Sequence, residues 1–525
     1  MMKRFTGFFI FRALKNGSFW KRRSLFFLFF ILCKILIPQE IIESFRSFPV
    51  TLNPLLATDE VSISIADKVF SGLFTLDRNG NVVPDLIEEW REEKNSIFIK
   101  LRDKIFWHDG RSLTTDDLVF TINLMKDPSF EYPYLADIEF IKEIVKIDSK
   151  KAKIIFSRKF APFLLYLTFK ILPSHMKDAC KKADSILPGT GPYKFKEVKY
   201  NQYLILERFE KYFRGFPEIK FYKLVVNPDP LMNPLKLLKE EVHVGEIEHE
   251  VYRSLIKDKE FNSKVSFIPY KKNSYTYLAF NLRNSLLNKE MRKGIAHAIP
   301  RDKILKNLLS GAGEIVNSHI IVKPWRVDCS EYKYSPEISK KIIRNLGWNK
   351  GKKGFFEKDG KVLKFVLVTN GESILRRYCA QIIKDELEKI GIEIEIKLLE
   401  YLSFRSALKN GNFDLAISGY LMDLDPNVWD LFSSKGVLNY ARFSNPYLDE
   451  LLIKGKETLD ISERKKIYKE VQEILWDEIP IFPLFVPYYI MGVSKKIEVT
   501  EKPEIVGSTN SFSSFVWKWK FKSKT

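Results

Sequence analysis

Cysteine is scarce in this chain. Four occur in 525 residues, Cys33, Cys180, Cys329 and Cys379, too few for a disulfide scaffold. Setting Cys33 aside leaves three, hence one disulfide at most, and no CxxC pair points to zinc or to a dithiol redox site. They read as small buried residues. Low-complexity runs and obvious internal repeats are also missing. Acidic side chains are missing from residues 1–39, which carry eight basic ones. The formal charge of +20 falls to +12 without that segment, and the remaining bases are interspersed with acids. So diffuse an excess affects solubility and nonspecific association without defining a nucleic-acid stripe. At 45% hydrophobic and 29% charged residues, the chain can bury large cores, and its length suits roughly two to four domains.

The acid-free leader is informative. Lys21-Arg22-Arg23 precede the apolar run 24–33, and Lys34 separates that run from the short apolar stretch 35–37. A basic run before a short apolar core is the pattern of an export signal. A membrane span needs about 20 apolar residues, more than this stretch offers without interruption. No small-x-small cleavage site comes after the core, and Phe30-Ile31-Leu32 before Cys33 lacks the small residues usual before a lipidated cysteine. Cleaved, lipidated and anchored forms therefore stay open, in the periplasm or on the outer face of the cytoplasmic membrane.

Beyond residue 40 the pattern mixes short strands with amphipathic helices. Asn79-Gly80 between 74–76 and 82–83 is a hairpin signal, and 96–101 reads as a strand. Thr114, with Asp116 and Asp117, opens a helix. The clearest stretch is 364–418. An apolar run at 365–368 is followed by Leu375, Cys379, Ile382, Ile383, Leu387 and Ile390 at helical spacing, with Gly391 as the stop. Alternation at 392–398, a shorter helix near 402–410 and a strand at 413–418 complete strand-helix-strand-helix-strand, a largely parallel sheet covered by helices. Ligands bind such sheets at the carboxyl ends of the strands, where strand order reverses. Here that edge reads Gly419-Tyr420-Leu421-Met422-Asp423-Leu424-Asp425-Pro426.

A carboxylate in a cleft at this edge can pair with an ammonium group, and the attraction grows where water is excluded. Asp425, beside the proline, is assigned to capping a helix that begins near Asn427. Asp423 is left between capping and facing a ligand. Trp107-His108-Asp109-Gly110 lacks a nucleophile and reads as a structural loop. His243, Glu246, Glu248, His249 and Glu250 do not share one helical face at metal-binding spacing. Gly189-Thr190-Gly191-Pro192 lacks the lysine of a phosphate loop. The alternating 517–522 segment reads as a last strand with a basic wet face, and Tyr275 and Tyr277 as cavity lining or packing at a crossing between lobes.

A series of motifs then occurs in a set order: Thr51-Leu52-Asn53-Pro54; Val69-Phe70-Ser71-Gly72-Leu73; Asn81-Val82-Val83-Pro84-Asp85-Leu86; 106–111 with 113–120; Gly189-Thr190-Gly191-Pro192-Tyr193; Leu278-Ala279-Phe280-Asn281; and 479–484. With these, the chain resembles the family 5 extracellular solute-binding proteins of ABC importers, the oligopeptide-, dipeptide- and nickel-binding class, from about 48 to about 497. The resemblance implies a two-lobed periplasmic-binding-protein-like (type II) α/β fold with an extra α/β domain inserted in the first lobe. After a signal or anchor at 1–39, lobe 1 would comprise 40–80, 188–279 and 485–525, the extra domain 81–187, and lobe 2 280–484. It implies a binding protein and not an enzyme, without cofactor or metal of its own, that hands a peptide or similar solute to permease subunits in the inner membrane. A monomer is expected, and no nucleic acid. In peptide-binding relatives an aspartate after the Gly-aromatic pair holds the peptide's amino terminus. That role carries to Asp423, with the backbone of Tyr420 and Leu421 pairing an extended ligand and Tyr275 as a further lining candidate. Where some dipeptide-binding relatives place an arginine, this chain reads Val368-Thr369-Asn370-Gly371. Arg376 and Arg377 then start a helix and are expected to be solvated or dipole-facing. A nickel, metallophore or other solute is the alternative ligand, and an envelope peptidase using Asp423 and Asp425 the alternative activity.

Overall fold

The computed structural model describes residues 40–522, so the expected signal or anchor segment and Cys33 lie outside the described residues. Its largest sheet has 13 strands. At one end, Lys364–Asn370 pairs in parallel with Glu393–Leu399 on one side and with Leu415–Leu421 on the other. The helix Ile374–Ile390 buries Cys379, Ile383 and Leu387 with Phe365, Leu367 and Ile417. The helix Tyr401–Asn410 buries Phe404 and Leu408 on the opposite face, with Val368 and Ala416. The two helices therefore cover opposite faces of a doubly wound sheet, whose strand order reverses at Lys364–Asn370. Gly391 and Gly411 close these helices at φ +110° and +77°, a left-handed backbone open to glycine at little cost.

The sheet continues through Ser274–Phe280 into the 14-residue strand Ile481–Ser494, and from there through Val244–Ile247 and Glu40–Phe45 to Phe221–Val226. The first residues of Ile481–Ser494 pair with Ser274–Phe280 and its later ones with Val265–Lys272. Between those last two strands lies only Asn273. The chain thus crosses from one half of the sheet to the other at 272–274 and again within 485–488.

A separate antiparallel sheet runs Ile87–Glu93, Ser96–Leu101, Lys151–Phe156, Ile141–Lys146. Its helix Thr115–Lys126 starts on a capping box: the Thr114 hydroxyl accepts from the helix start while Asp117 accepts from the Thr114 amide. Its core is continuous with that of the 40–80 and 193–226 segments. The Asn79-Gly80 hairpin forms, 74–76 against 82–84, with Gly80 at φ +84°. Gly189 and Gly191 let their loop lie directly on the end of the helix Glu60–Val69. A Cβ at Gly189 would stand 1.8 Å from the Val69 carbonyl oxygen.

The C-terminal expectation is corrected. Only Lys520–Phe521 forms a strand, while Trp517 lies in a single 3-10 turn. Trp519 is fully buried, its indole N–H donating to the Glu501 carbonyl at 2.7 Å. Burying the indole there wins over a regular alternating strand.

Candidate functional site

The Leu415–Leu421 strand outruns its parallel neighbour. On one side it pairs with Ser274–Phe280 along its whole length, Ser274 opposite Leu421. On the other, its register with Lys364–Asn370 covers only Leu415, Ala416 and Ile417. From Gly419 to Leu421 one backbone edge carries no strand partner among the described residues, and Tyr420 and Leu421 are 38% and 40% exposed. A free edge of this kind can take an extended chain.

Beyond that edge the chain enters a cavity of about 700 Å³, within the roughly 300–1,000 Å³ of pockets that enclose small molecules. Its walls come from three regions: 54–67 with 508–509, 132–170, and 420–457. The second and third regions meet directly, the Ala161 amide donating to the Lys456 carbonyl at 2.7 Å.

Asp423 sits at one wall. Asn273, at the chain crossing, holds its loop: the Asn273 carbonyl accepts from the Met422 amide at 2.8 Å, and its side-chain amide donates to the Met422 and Asp423 carbonyls. The Asp423 carboxylate accepts from the Tyr166 hydroxyl at 3.2 Å and from the Ser508 hydroxyl. It makes no ion pair among the described residues. Burial raises its pKa, as do the charges of Asp425 and Asp430, against the lowering effect of the two hydroxyl donors.

Asp425 is placed differently. One oxygen accepts from the Asn427 amide at 3.0 Å, as a turn cap does. Both oxygens also accept from Arg464, at 2.8 Å each. The two side chains are 7% and 5% exposed, and Arg464 is further anchored by donating to the Gly455 carbonyl. The expected helix near Asn427 begins only at Trp429 and spans four residues. Capping is thus half of the role of Asp425, and neutralising a buried guanidinium is the other half. Paired in this way, it is not available as a partner to Asp423 for acid-base chemistry.

Asp137, from the second wall, faces the same cavity. It holds no ion pair or side-chain hydrogen bond among the described residues, and its pKa is pushed up to about 7, chiefly by burial and then by Asp423 and Asp430.

Tyr420, Leu421 and Asp423 therefore come together at the cavity, and Tyr275 does not. Tyr275 and Tyr277, two apart on one strand, point to the same side and are buried in the core beneath the sheet. The Tyr275 hydroxyl donates to the His319 carbonyl at 3.3 Å. Arg376 also departs from expectation. Its guanidinium lies against Gly419, where a Cβ would stand 3.0 Å from Nη2, and burial lowers its pKa; only Arg377 is exposed. Tyr166, Ser508, Asp137, Asn273 and Arg464 went unmarked in sequence. Asp137 faces the same cavity, and the other four are brought to the Asp423–Asp425 loop by tertiary contact from far along the chain, Arg464 from 39 residues away and Tyr166 from 257. No local pattern announces any of them.

The 243–250 residues divide between separate tasks. His243 Nδ1 accepts from the Ile42 amide at 3.0 Å, and Glu248 pairs with Arg46. His108 clamps the glycine loop, Nδ1 accepting from the Gly189 amide at 3.1 Å and Nε2 lying 3.0 Å from the Gly191 carbonyl.

The family model of bacterial extracellular solute-binding proteins, family 5, matches residues 81–439. The chain belongs to this family. As a family 5 solute-binding protein it is the substrate-binding component of an ABC importer and catalyses no reaction. It is 26% identical over 475 residues to the oligopeptide-binding protein AppA of Bacillus subtilis, covering 86% of each chain. It is 25% identical over 436 residues to the dipeptide-binding protein of Escherichia coli, covering 76% of this chain and 80% of the other. Among solved structures, NikZ of Campylobacter jejuni in complex with Ni(L-His) aligns with a TM-score of 0.78 at 25% identity, covering 92% of this chain and 99% of that one. The chain has the periplasmic-binding-protein-like (type II) α/β fold of this family. Among the described residues, no helix is long and apolar enough to cross a membrane.

Proposed function

We propose that this solute-binding protein captures a peptide by its free amino terminus. The ammonium group sits against Asp423, and the peptide backbone runs along the open edge of Tyr420 and Leu421. The observation that carries the reading is a carboxylate held in place by two hydroxyl donors, without a cation among the described residues, at the wall of a cavity. A ligand ammonium supplies the missing charge, and the exclusion of water strengthens the pairing. Main-chain pairing to the strand edge tolerates varied side chains, which suits a receptor for peptides of mixed sequence. The oligopeptide- and dipeptide-binding names of the relatives support the same ligand class.

On this reading lobe 1 (40–80, 188–272 and 485–525) and lobe 2 (274–484) close over the ligand about the crossings at 272–274 and 485–488, the strand Ser274–Phe280 counting with its partner Leu415–Leu421 in lobe 2 and not with lobe 1. The 81–187 domain lends Tyr166 and Asp137 to the closed cavity. The protein works as a monomer outside the cytoplasmic membrane, exported by the 1–39 segment, and hands its cargo to the permease subunits in that membrane.

The test is mass spectrometry on the full chain, gently purified and then denatured, followed by titration with a recovered peptide and its N-acetylated form. Peptides with free amino termini, and loss of binding on acetylation, are expected. Equal binding of the acetylated form overturns the amine anchor. A chelated metal ion is the second reading, favoured by the likeness to the Campylobacter jejuni protein solved with Ni(L-His); its recovery in place of peptides would replace the peptide reading.

A further inference from the structure

The charge balance around the cavity is uneven. Lys170 is paired with Asp67 at 2.8 Å. Lys456 lies 4.4 Å over the Trp429 ring, and Arg158 5.9 Å over that of Phe160. Lys456 also acts through space on Asp430 and Asp137, and the exposed Lys159 lines the cavity too, so the cations offset the acids only in part. Asp137, Asp423 and Asp430 line the same space, and none of the three makes an ion pair among the described residues.

A set of surface acids would simply be hydrated. Two features separate this one from that case. Asp137 and Asp423 come from different walls of one cavity, and Asp423 is fixed in it by Tyr166 and Ser508 while its charge goes unanswered among the described residues. One ligand ammonium answers Asp423 and leaves Asp137 and Asp430 facing each other.

We propose that the cavity selects peptides carrying a second positive charge at the amino end, a lysine or arginine as first residue, with Asp137 and Asp430 receiving the side-chain cation. This rests on Asp423 anchoring the amino group. Pairing inside a cavity that the ligand fills is stronger than on an open surface, and a ligand without the second cation leaves the half-buried Asp137 unpaired beside the exposed Asp430. The pKa of Asp137, raised first by burial and then by the charges of Asp423 and Asp430, agrees with an acid that gains from an incoming cation. The rings of Tyr132, Tyr134, Tyr166 and Trp429 add faces for the aliphatic stem and the cation.

The test compares Lys-Ala-Ala with norleucine-Ala-Ala, alike in shape but not in charge, by calorimetry on the full chain at pH 8. The lysine peptide is expected to bind about tenfold tighter, and the ratio is expected to fall to about one in Asp137→Asn. Asp430→Asn, on the opposite wall, is expected to reduce the same ratio. Equal affinity of both peptides for the wild type overturns this proposal and leaves the amine anchor standing. An unchanged ratio in both variants, or loss of both peptides alike in Asp137→Asn, also overturns it. Failure of both peptides to bind, or equal binding of the acetylated norleucine peptide, removes the amine anchor and this proposal together.

Discussion

Asp425 and Arg464 form a two-point ion pair out of contact with bulk water, both carboxylate oxygens 2.8 Å from guanidinium nitrogens. Two residues earlier in the chain, Asp423 has no cation at all among the described residues. Neighbouring aspartates on one loop thus have opposite fates: one charge is answered within the protein, the other is turned to the cavity. The difference lies in Arg464, on the helix Ile461–Glu478, which reaches Asp425 and not Asp423.

Removing one member of a buried pair leaves an uncompensated charge, which costs about 3–5 kcal/mol. Arg464→Met is expected to destabilise the protein by about that amount, read as a lowered urea midpoint. Adding Asp425→Leu in the same chain is expected to recover much of the loss, because the stranded carboxylate is gone. The Arg464 guanidinium also lies 5.1 and 5.3 Å over the rings of Trp325 and Tyr468, and a double variant no more stable than the single one would show that it acts through those rings and not through charge.

Asp423→Asn keeps the shape, exchanges one acceptor oxygen for an amide donor and removes the charge. Binding of a free-amine peptide is expected to weaken by about a hundredfold, in line with roughly 3 kcal/mol for a charged hydrogen bond. Tyr166→Phe removes a donor that favours the ionised carboxylate, and about a tenfold loss at pH 7 is expected, larger at lower pH. Thermal melting of the unliganded variants checks folding: Asp423→Asn is expected to melt no lower than wild type, since a desolvated carboxylate is replaced by a neutral group. A clear fall in melting temperature would assign Asp423 a structural role.

Asp137 gives a pH signature. Its pKa is raised from the ordinary 3.8 to about 7 in the folded chain, so the folded state holds a proton that the unfolded state has already lost. Stability from this group is full below about pH 4 and is lost as pH rises through 7. Asp137→Asn has no such loss. The melting-temperature difference between variant and wild type is therefore expected to start near zero at pH 4, grow in the variant's favour up to pH 7, and level off above. A difference that does not change with pH would place Asp137 in water.

Much of this was readable along the chain, and the reason is local. The 364–421 units carry their own periodicity and their own stops at Gly391 and Gly411. The capping box at Thr114 and the hairpin at Asn79-Gly80 likewise rest on residues within reach of each other. Asp423 was legible because it comes directly after a strand at a sheet edge. Its partners were not, because Tyr166 and Ser508 are meaningful only after folding brings 257 and 85 residues of separation to hydrogen-bond distance. Arg376 misled for a related reason: its position at a helix start suggests solvent, while the missing side chain at Gly419 makes room for it. At Tyr275, strand alternation fixes which side the ring takes, but the face that is core was set by helices distant in sequence.

His108 shows how a chemically suggestive motif can be structural. Its Nδ1 accepts from the Gly189 amide, so the neutral ring carries its proton on Nε2 and donates to the Gly191 carbonyl. Protonating Nδ1 would break the first of these bonds. Burial pushes the pKa down from 6.5 to about 4, so the stability this group contributes is complete above about pH 6.5 and is lost as pH falls through 4. His108→Phe is expected to be less stable than wild type at pH 7, because the loop loses both contacts. It is also expected to show a shallower decline between pH 6.5 and 4, since the titrating group is absent. Parallel pH profiles for the two proteins would mean that the ring stays in contact with solvent. The glycines it clamps are bound by the same geometry: a Cβ at Gly191 would stand 2.6 Å from the Val69 carbonyl carbon, so Gly191→Ala is expected to lower the melting temperature without any change in pH slope.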